Sequence, residues 1–376
     1  MKADSPAPAR DGTESDSTET DSTETDGTET DGTGLVLDVS GLRIGFGGSD
    51  VVSGVDLRVE RGEVVGLIGE SGCGKSSVAL AAMGLLGPGA SVRADRLVAC
   101  GTDLLGSGPA ALESLRGDRV AMVFQEPMTS LNPCMRVGAQ VAEVLRIHGK
   151  AGRPEARERA VELLRLVEIP SPERRARQFP HELSGGMRQR VVIAIAMAGN
   201  PDLLLADEPT TALDVTVQAE ILQLLRSLQE ERGMGMLLIS HDLGVITAMC
   251  SRVQVMYAGQ VVESGTVDQV LTAPRHPYTR ALLAAVPRTR DGDGTRLTAI
   301  RGQLTDDARR LAGCRFAPRC PSATDACAAP QPLRPVGDGW VSRCWLDLDD
   351  DPCIASGHGA TTVAGTKGGS DERHAG

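Results

Sequence analysis

This 376-residue sequence is poor in aromatics, has no surplus of basic charge and carries no long apolar run. Each scarcity excludes something. Phe, Tyr and Trp make up 2 % of the chain, and Phe46 is the only ring before residue 69. Ring stacking in the N-terminal part is therefore confined to Phe46. The longest apolar stretch, Val191 to Ala198, falls far below the roughly 18 residues of a membrane-crossing helix, so the chain is not expected to span a bilayer. Its acidic, polar start is unlike a secretory leader, which points to a cytosolic protein. The net charge of −11 is unevenly spread. Residues 1–34 hold ten acidic side chains against Lys2 and Arg10, so they carry −8 and leave −3 for the rest. A nearly balanced body lacks the basic footprint of a nucleic-acid-coating protein.

The texture divides the chain into four parts. Within residues 1–34, Glu14, Glu19, Glu24 and Glu29 recur in phase in a Thr-, Asp- and Ser-rich repeat. Such a segment has no apolar surface to offset its ordering entropy and is expected to be a disordered, solvating tail. From Leu35, short β-like runs (Leu35–Val39, Val51–Val59, Val64–Ile68) predict an antiparallel subdomain beside a nucleotide core. Ala156, Ala160, Leu164 and Val167 share one helical face, and Val217, Ile221, Leu224, Leu225 and Leu228 share another, stopped by Gly233. With a buried strand at Met236–Ser240, strands and helices alternate, so the fold class is α/β with a parallel core. This body is placed at 35–273, with a helical subdomain over 128–190. After Pro274 the composition shifts to Pro, Arg and Cys, marking a separate piece at 274–349. Residues 350–376 read as a loose tail.

Chemistry begins at Gly69-Glu70-Ser71-Gly72-Cys73-Gly74-Lys75-Ser76, a G-x4-G-K-S loop between the apolar run Val64–Ile68 and a helix expected from Ser77. Its glycines let consecutive N–H groups turn inward around phosphates, and the helix N-terminus adds a favourable dipole. Lys75 neutralises phosphate charge, and the Ser76 hydroxyl is placed for Mg2+. Leu203–Leu205, Ala206, Asp207 and Glu208 form an apolar strand ending in two acids. The first suits the Mg2+ shell, and the second can orient or deprotonate water. Between them, Leu183-Ser184-Gly185-Gly186-Met187-Arg188-Gln189-Arg190 opens an apolar helix with a hydroxyl and free N–H groups, again an anion site. In isolation it would read equally as an ordinary N-cap followed by glycines.

Taken in series, P-loop, Gln125, L-S-G-G-x-x-Q-R, Asp207-Glu208 and His241 resemble the ATP-binding-cassette ATPases. The resemblance implies a P-loop core with antiparallel β and helical signature subdomains. It implies ATP contacts at Phe46, Gly69, Ser71, Gly72, Cys73, Gly74, Lys75, Ser76 and Ser77. Ser184, Gly185, Gly186, Gln189 and Asp214 would complete the site of a second cassette. Mg2+ would sit at Ser76, Gln125 and Asp207, with Glu208, His241 and Gln125 in catalysis. Ala212-Leu213-Asp214 looks like the loop that crosses the dimer. One P-loop and one signature cannot complete a site alone, so two cassettes, identical or paralogous, are expected to pair head to tail.

Phe124 to Pro133, His276-Pro277-Tyr278-Thr279 and Gly313 to Pro321 resemble the oligopeptide and dipeptide importer branch, with the likeness covering about residues 35–349. That branch implies two membrane permeases, an extracellular solute-binding protein and a place at the cytoplasmic face of the membrane. It implies no nucleic acid. Nickel, glutathione and other solute importers share much of this extension. A soluble cassette ATPase would need coiled-coil arms, twin cassettes or a basic surface, and a regulator without turnover would not need Lys75, Asp207, Glu208 and His241 together. Cys314, Cys320, Cys327 and Cys344 hold four of the nine cysteines in a C-x5-C-x6-C-x16-C array, with Cys353 nearby. In a cytosolic chain this points to metal before disulfides. On chemistry alone zinc, an iron–sulfur cluster and free thiols all survive. The resemblance adds a 4Fe–4S cluster, found in some members of the branch. Cys73, Cys100, Cys134 and Cys250 read as packing residues.

Overall fold

The computed structural model describes residues 34–211, 213–285 and 300–346. The tails expected at 1–33 and 350–376, Ala212 and Cys353 lie outside the described residues. Among the described residues, thirteen strands form two sheets. The N-terminal half supplies β1 (Leu35–Phe46), β2 (Ser49–Glu60), β3 (Val64–Ile68), β4 (Ala90–Arg93), β5 (Arg96–Ala99), β6 (Thr102–Asp103) and β7 (Val120–Val123). The remainder supplies β8 (Leu203–Asp207), β9 (Gly235–Ile239), β10 (Arg252–Tyr257), β11 (Gln260–Thr266), β12 (Arg334–Gly337) and β13 (Trp340–Ser342). One sheet is antiparallel, in the order β2-β1-β5-β6, with β4 also on β1. The other runs β12-β13-β11-β10-β3-β9-β8-β7, and its strands from β10 to β7 are parallel.

Strands β3, β7, β8 and β9 are buried at every residue, which is why they read as unbroken apolar runs. Their alternation is real but hidden. Ala121, Val123, Leu204, Ala206, Met236 and Leu238 pack on the helical layer. Val120, Met122, Leu203, Leu205, Leu237 and Ile239 pack against the antiparallel sheet. The parallel sheet is thus the middle layer, and its carboxyl edge carries the loops that matter below. The helical layer follows the expected faces. Ala156, Ala160 and Leu164 are buried on the Arg153–Leu166 helix, and Ile221, Leu224, Leu225 and Leu228 on the Val215–Arg232 helix. Gly233, at φ 59, ends the latter.

The piece expected after Pro274 packs directly on the nucleotide sheet. Strands β12 and β13 continue the nucleotide sheet, because β13 pairs with β11 through Glu263–Ser342 and Ser264–Val341. Tyr278, Phe316 and Trp340 then join Ile68, Val255 and Tyr257 in a third core cluster. A fully buried carboxylate pins this junction. Glu263 accepts from the backbone N–H groups of Arg275 (2.7 Å) and His276 (2.9 Å) and from Trp340 Nε1 (3.0 Å). Burial raises the Glu263 pKa, and these donors oppose the rise. Beside it, burial pushes His276 down to about 3, so it is neutral, and its Nδ1 accepts from the Tyr278 N–H. Glu263→Ala would leave those buried donors unpaired. It should lower stability by about 3 kcal/mol or more in chemical denaturation and red-shift tryptophan emission. An unchanged denaturation midpoint would remove Glu263 from this role.

Candidate functional site

The phosphate loop leaves β3 at its carboxyl end and enters the Lys75–Ala82 helix, two residues before the expected start. Two glycines are required by geometry. At Gly69 (φ 154) a Cβ would lie 2.1 Å from the Met256 carbonyl oxygen, and Gly74 (φ 109) takes the left-handed N-cap position. Lys75 is 6 % exposed. Its Nζ donates to the carbonyls of Gly69 (2.9 Å) and Glu70 (3.1 Å), so the positive charge sits inside the loop.

Asp207 ends β8 directly beside this loop. The Ser76 hydroxyl bonds to its carboxylate, while Oδ1 is buried without a hydrogen-bond partner. Burial raises the Asp207 pKa first, the Glu208 charge adds to the rise, and Ser76 and Lys75 oppose it. An orphaned carboxylate oxygen next to a serine hydroxyl at a phosphate loop is a donor set that fits Mg2+.

Glu208 adopts the left-handed region at φ 47, with its N–H bonded to the Ile239 carbonyl (2.9 Å). A non-glycine residue there is strained, and strain of this kind concentrates at working sites. Its Oε2 gathers three groups: Gln125 Nε2 donates at 3.0 Å, Thr211 Oγ1 at 2.9 Å, and His241 Nδ1 lies at 3.2 Å. The structure therefore turns Gln125 and His241 toward Glu208, where the resemblance implied Mg2+ and the γ-phosphate. Thr211, which no motif singled out, joins them.

The signature sits on separate elements. Ser184 caps the Gly185–Met197 helix by accepting from the Met187 N–H (3.3 Å), and Ser184 and Gly185 are exposed. Gly186 is dictated by packing, since a Cβ there would meet Val217 Cγ1 at 2.6 Å. Gln189 corrects the expectation. At 1 % exposure it lies inside the helical layer and does not share the outward face of Ser184. Asp214 is exposed and caps the Val215–Arg232 helix through the Val217 N–H (3.0 Å). Phe46 is 40 % exposed at the end of β1, open to a stacking partner. Cys73 is fully buried.

Cys314, Cys320, Cys327 and Cys344 line one small cavity with Phe316 and Trp345. Trp345 Nε1 lies 3.3 Å from Cys327 Sγ, and the Cys314 N–H donates to the Cys327 carbonyl at 2.8 Å. Burial and the neighbouring thiols push Cys320 up to about 11. Among the described residues, no three His, Cys, Asp or Glu side chains are grouped to hold a metal ion. The cluster expected there is not supported by this arrangement.

Residues 52–211 match the ABC transporter family, and residues 262–327 match the C-terminal region of oligopeptide/dipeptide transporters. A protein of Sinorhizobium fredii named a probable peptide ABC transporter ATP-binding protein is 47 % identical over 317 residues, 83 % of this chain and 95 % of that one. This chain belongs to the ABC transporter family. A Brucella melitensis protein named for peptide import ATP binding is 49 % identical over 331 residues, 83 % of this chain and 98 % of that one. A dimeric ATP-binding cassette solved in a post-hydrolysis state with ADP and Pi superposes at TM-score 0.53 and 30 % identity, over 61 % of this chain and 98 % of that one. A Clostridium perfringens cassette, part of an ABC transporter complex, superposes at 0.55 and 28 %, over 64 % and 91 %. The fold is that of an ABC ATPase cassette, and ATP with Mg2+ are the typical cofactors of such ATPases.

Asp207 carries an opposition between stability and chemistry. Its raised pKa means that, above its unfolded value, the ionised form costs the apo fold stability. Asp207→Asn should therefore raise the melting temperature of nucleotide-free protein at pH 7 while abolishing Mg2+-dependent ATP hydrolysis. A lower melting temperature would show that the carboxylate is not an uncompensated buried charge.

Proposed function

We propose that this chain is the ATP-hydrolysing subunit of a bacterial ABC importer for oligopeptides or dipeptides. The observation that carries the chemistry is the Glu208 carboxylate, fixed by Gln125, Thr211 and His241 at the edge that also presents Asp207 and the phosphate loop. The observation that carries the substrate class is the match of residues 262–327 to the oligopeptide/dipeptide transporter C-terminal region. The proposed units are the nucleotide-binding domain at 35–273, its helical subdomain near 128–190 and the extension at 274–349.

The P-loop N–H groups and Lys75 bind and charge-balance the triphosphate, and Phe46 stacks on the base. Ser76 and Asp207 would hold Mg2+, which would supply neutralising charge to the triphosphate. Glu208 accepts a proton from water as the water oxygen bonds to the γ-phosphorus. The γ-phosphoanhydride bond breaks, and its electron pair leaves on ADP. Ser184, Gly185 and Asp214 would face the nucleotide of a second cassette, identical or paralogous, and dimer closure and opening would drive two permeases. A solute-binding protein would deliver peptide outside. No helix among the described residues is long and apolar enough to cross a membrane, so attachment at the cytoplasmic face would come through the permeases.

Glu208→Gln should bind ATP normally, lose about 10²–10⁴ in turnover and accumulate an ATP-bound dimer on size exclusion. Near-normal hydrolysis would remove Glu208 from the mechanism. Lys75→Ala should instead weaken nucleotide binding itself, because it strips the charge that faces the phosphates.

We further propose, from the C-x5-C-x6-C-x16-C array, that Cys314, Cys320, Cys327 and Cys344 hold a 4Fe–4S cluster, whose binding would have to draw the thiols closer together than they stand here. Protein purified without oxygen should then be brown, contain iron and sulfide, and change tryptophan emission on metal removal while still binding ATP. Stoichiometric zinc, or no metal at all, would end the cluster reading and leave the ATPase untouched.

A further inference from the structure

The phosphate loop is gripped from outside by three residues of the C-terminal extension. Arg319 places both guanidinium arms on the Glu70 carboxylate, Nη1 to Oε2 at 2.7 Å and Nη2 to Oε1 at 2.8 Å. Arg309 Nη2 donates to the Gly72 carbonyl at 2.6 Å, and the Tyr278 hydroxyl accepts the Glu70 N–H at 2.8 Å. Arg319 is itself immobilised. Its side chain is 8 % exposed, it donates to the carbonyls of Arg301 (2.7 Å) and Gly302 (3.1 Å), and it lies over the Tyr257 ring. Bidentate arginine–carboxylate pairs combine charge neutralisation with fixed geometry, and this one is shielded from solvent.

Glu70 is the second residue of the phosphate loop. A carboxylate there is unfavourable beside a triphosphate unless its charge is cancelled, and Arg319 cancels it. We propose that Arg319 is a positioning residue of the ATP site: it neutralises Glu70 and holds the phosphate loop in its binding shape, making the extension part of the nucleotide site. This rests on the phosphate loop holding MgATP.

The test is steady-state ATP hydrolysis and MgATP binding by full-length protein. Arg319→Ala should raise KM and Kd for MgATP about tenfold with kcat within about twofold, the pattern of lost ground-state and transition-state binding alike. Arg319→Lys, which keeps the charge without the fork, should fall between the two. Glu70→Gln combined with Arg319→Ala should recover KM to within about threefold of wild type, because no bare carboxylate remains. A merely structural contact would lower the melting temperature of Arg319→Ala without moving KM, and would leave the double variant no better than the single. Either result overturns the proposal. If wild-type protein failed to bind MgATP, the ATPase reading would fail first, which separates the two outcomes.

Discussion

A phosphate-binding loop must turn most of its N–H groups inward for its ligand, so few bonds within the loop can hold it rigid. The rest of this structure follows from that constraint. Support has to come from neighbours, and here it comes from every side. Buried β3 and the Lys75–Ala82 helix fix the two ends. Lys75 ties the Gly69 and Glu70 carbonyls from within, Tyr278 takes the one outward Glu70 N–H, and Arg309 and Arg319 take the Gly72 carbonyl and the Glu70 carboxylate. The loop is left with no freedom except the one it needs, an open inner face.

The same logic separates the two acids at the end of β8. Asp207 is buried with an unpaired oxygen, a local cost that a divalent cation would offset. Glu208, one residue on, spends its strained backbone on swinging the carboxylate into a cage of Gln125, Thr211 and His241. Adjacent carboxylates in one strand end would repel if both faced the same way. The left-handed kink at Glu208 sends them to different partners, one toward Ser76 and one toward Gln125, Thr211 and His241.

Much of this was legible in the sequence, because the motifs are local. G-x4-G-K-S, the two acids after Leu203–Ala206 and Ser184-Gly185-Gly186 each lie on one strand end or helix start, and buried parallel strands read as plain apolar runs. What stayed hidden depends on contacts across the chain. Arg319 and Glu70 are 249 residues apart, so no spacing rule joins them. Tyr278 could be read only as part of a family marker, although its hydroxyl closes on the phosphate loop. Gln189 is a case of the opposite kind: its place in the signature implied a contact with a second cassette's nucleotide, and helical phase turns its side chain into the helical layer. The change of composition at Pro274 suggested a boundary but not the strand pairing of β11 with β13 that joins the two sides of it.

That pairing across Pro274 explains why an extension without any ATP motif is built as it is. Its strands add to the nucleotide sheet at the edge beyond β10, so they inherit the orientation of β3 through two intervening strands. Glu263 then locks the chain that follows β11, and the neutral His276 presets the backbone of Tyr278. Only with that turn in place does the Tyr278 hydroxyl arrive at Glu70, and only with Phe316 packed on Tyr257 and Tyr278 does Arg319 arrive beside it. A buried carboxylate is an expensive anchor on stability grounds alone. Its directional bonds define where the extension ends, and the phosphate loop is what stands at that end.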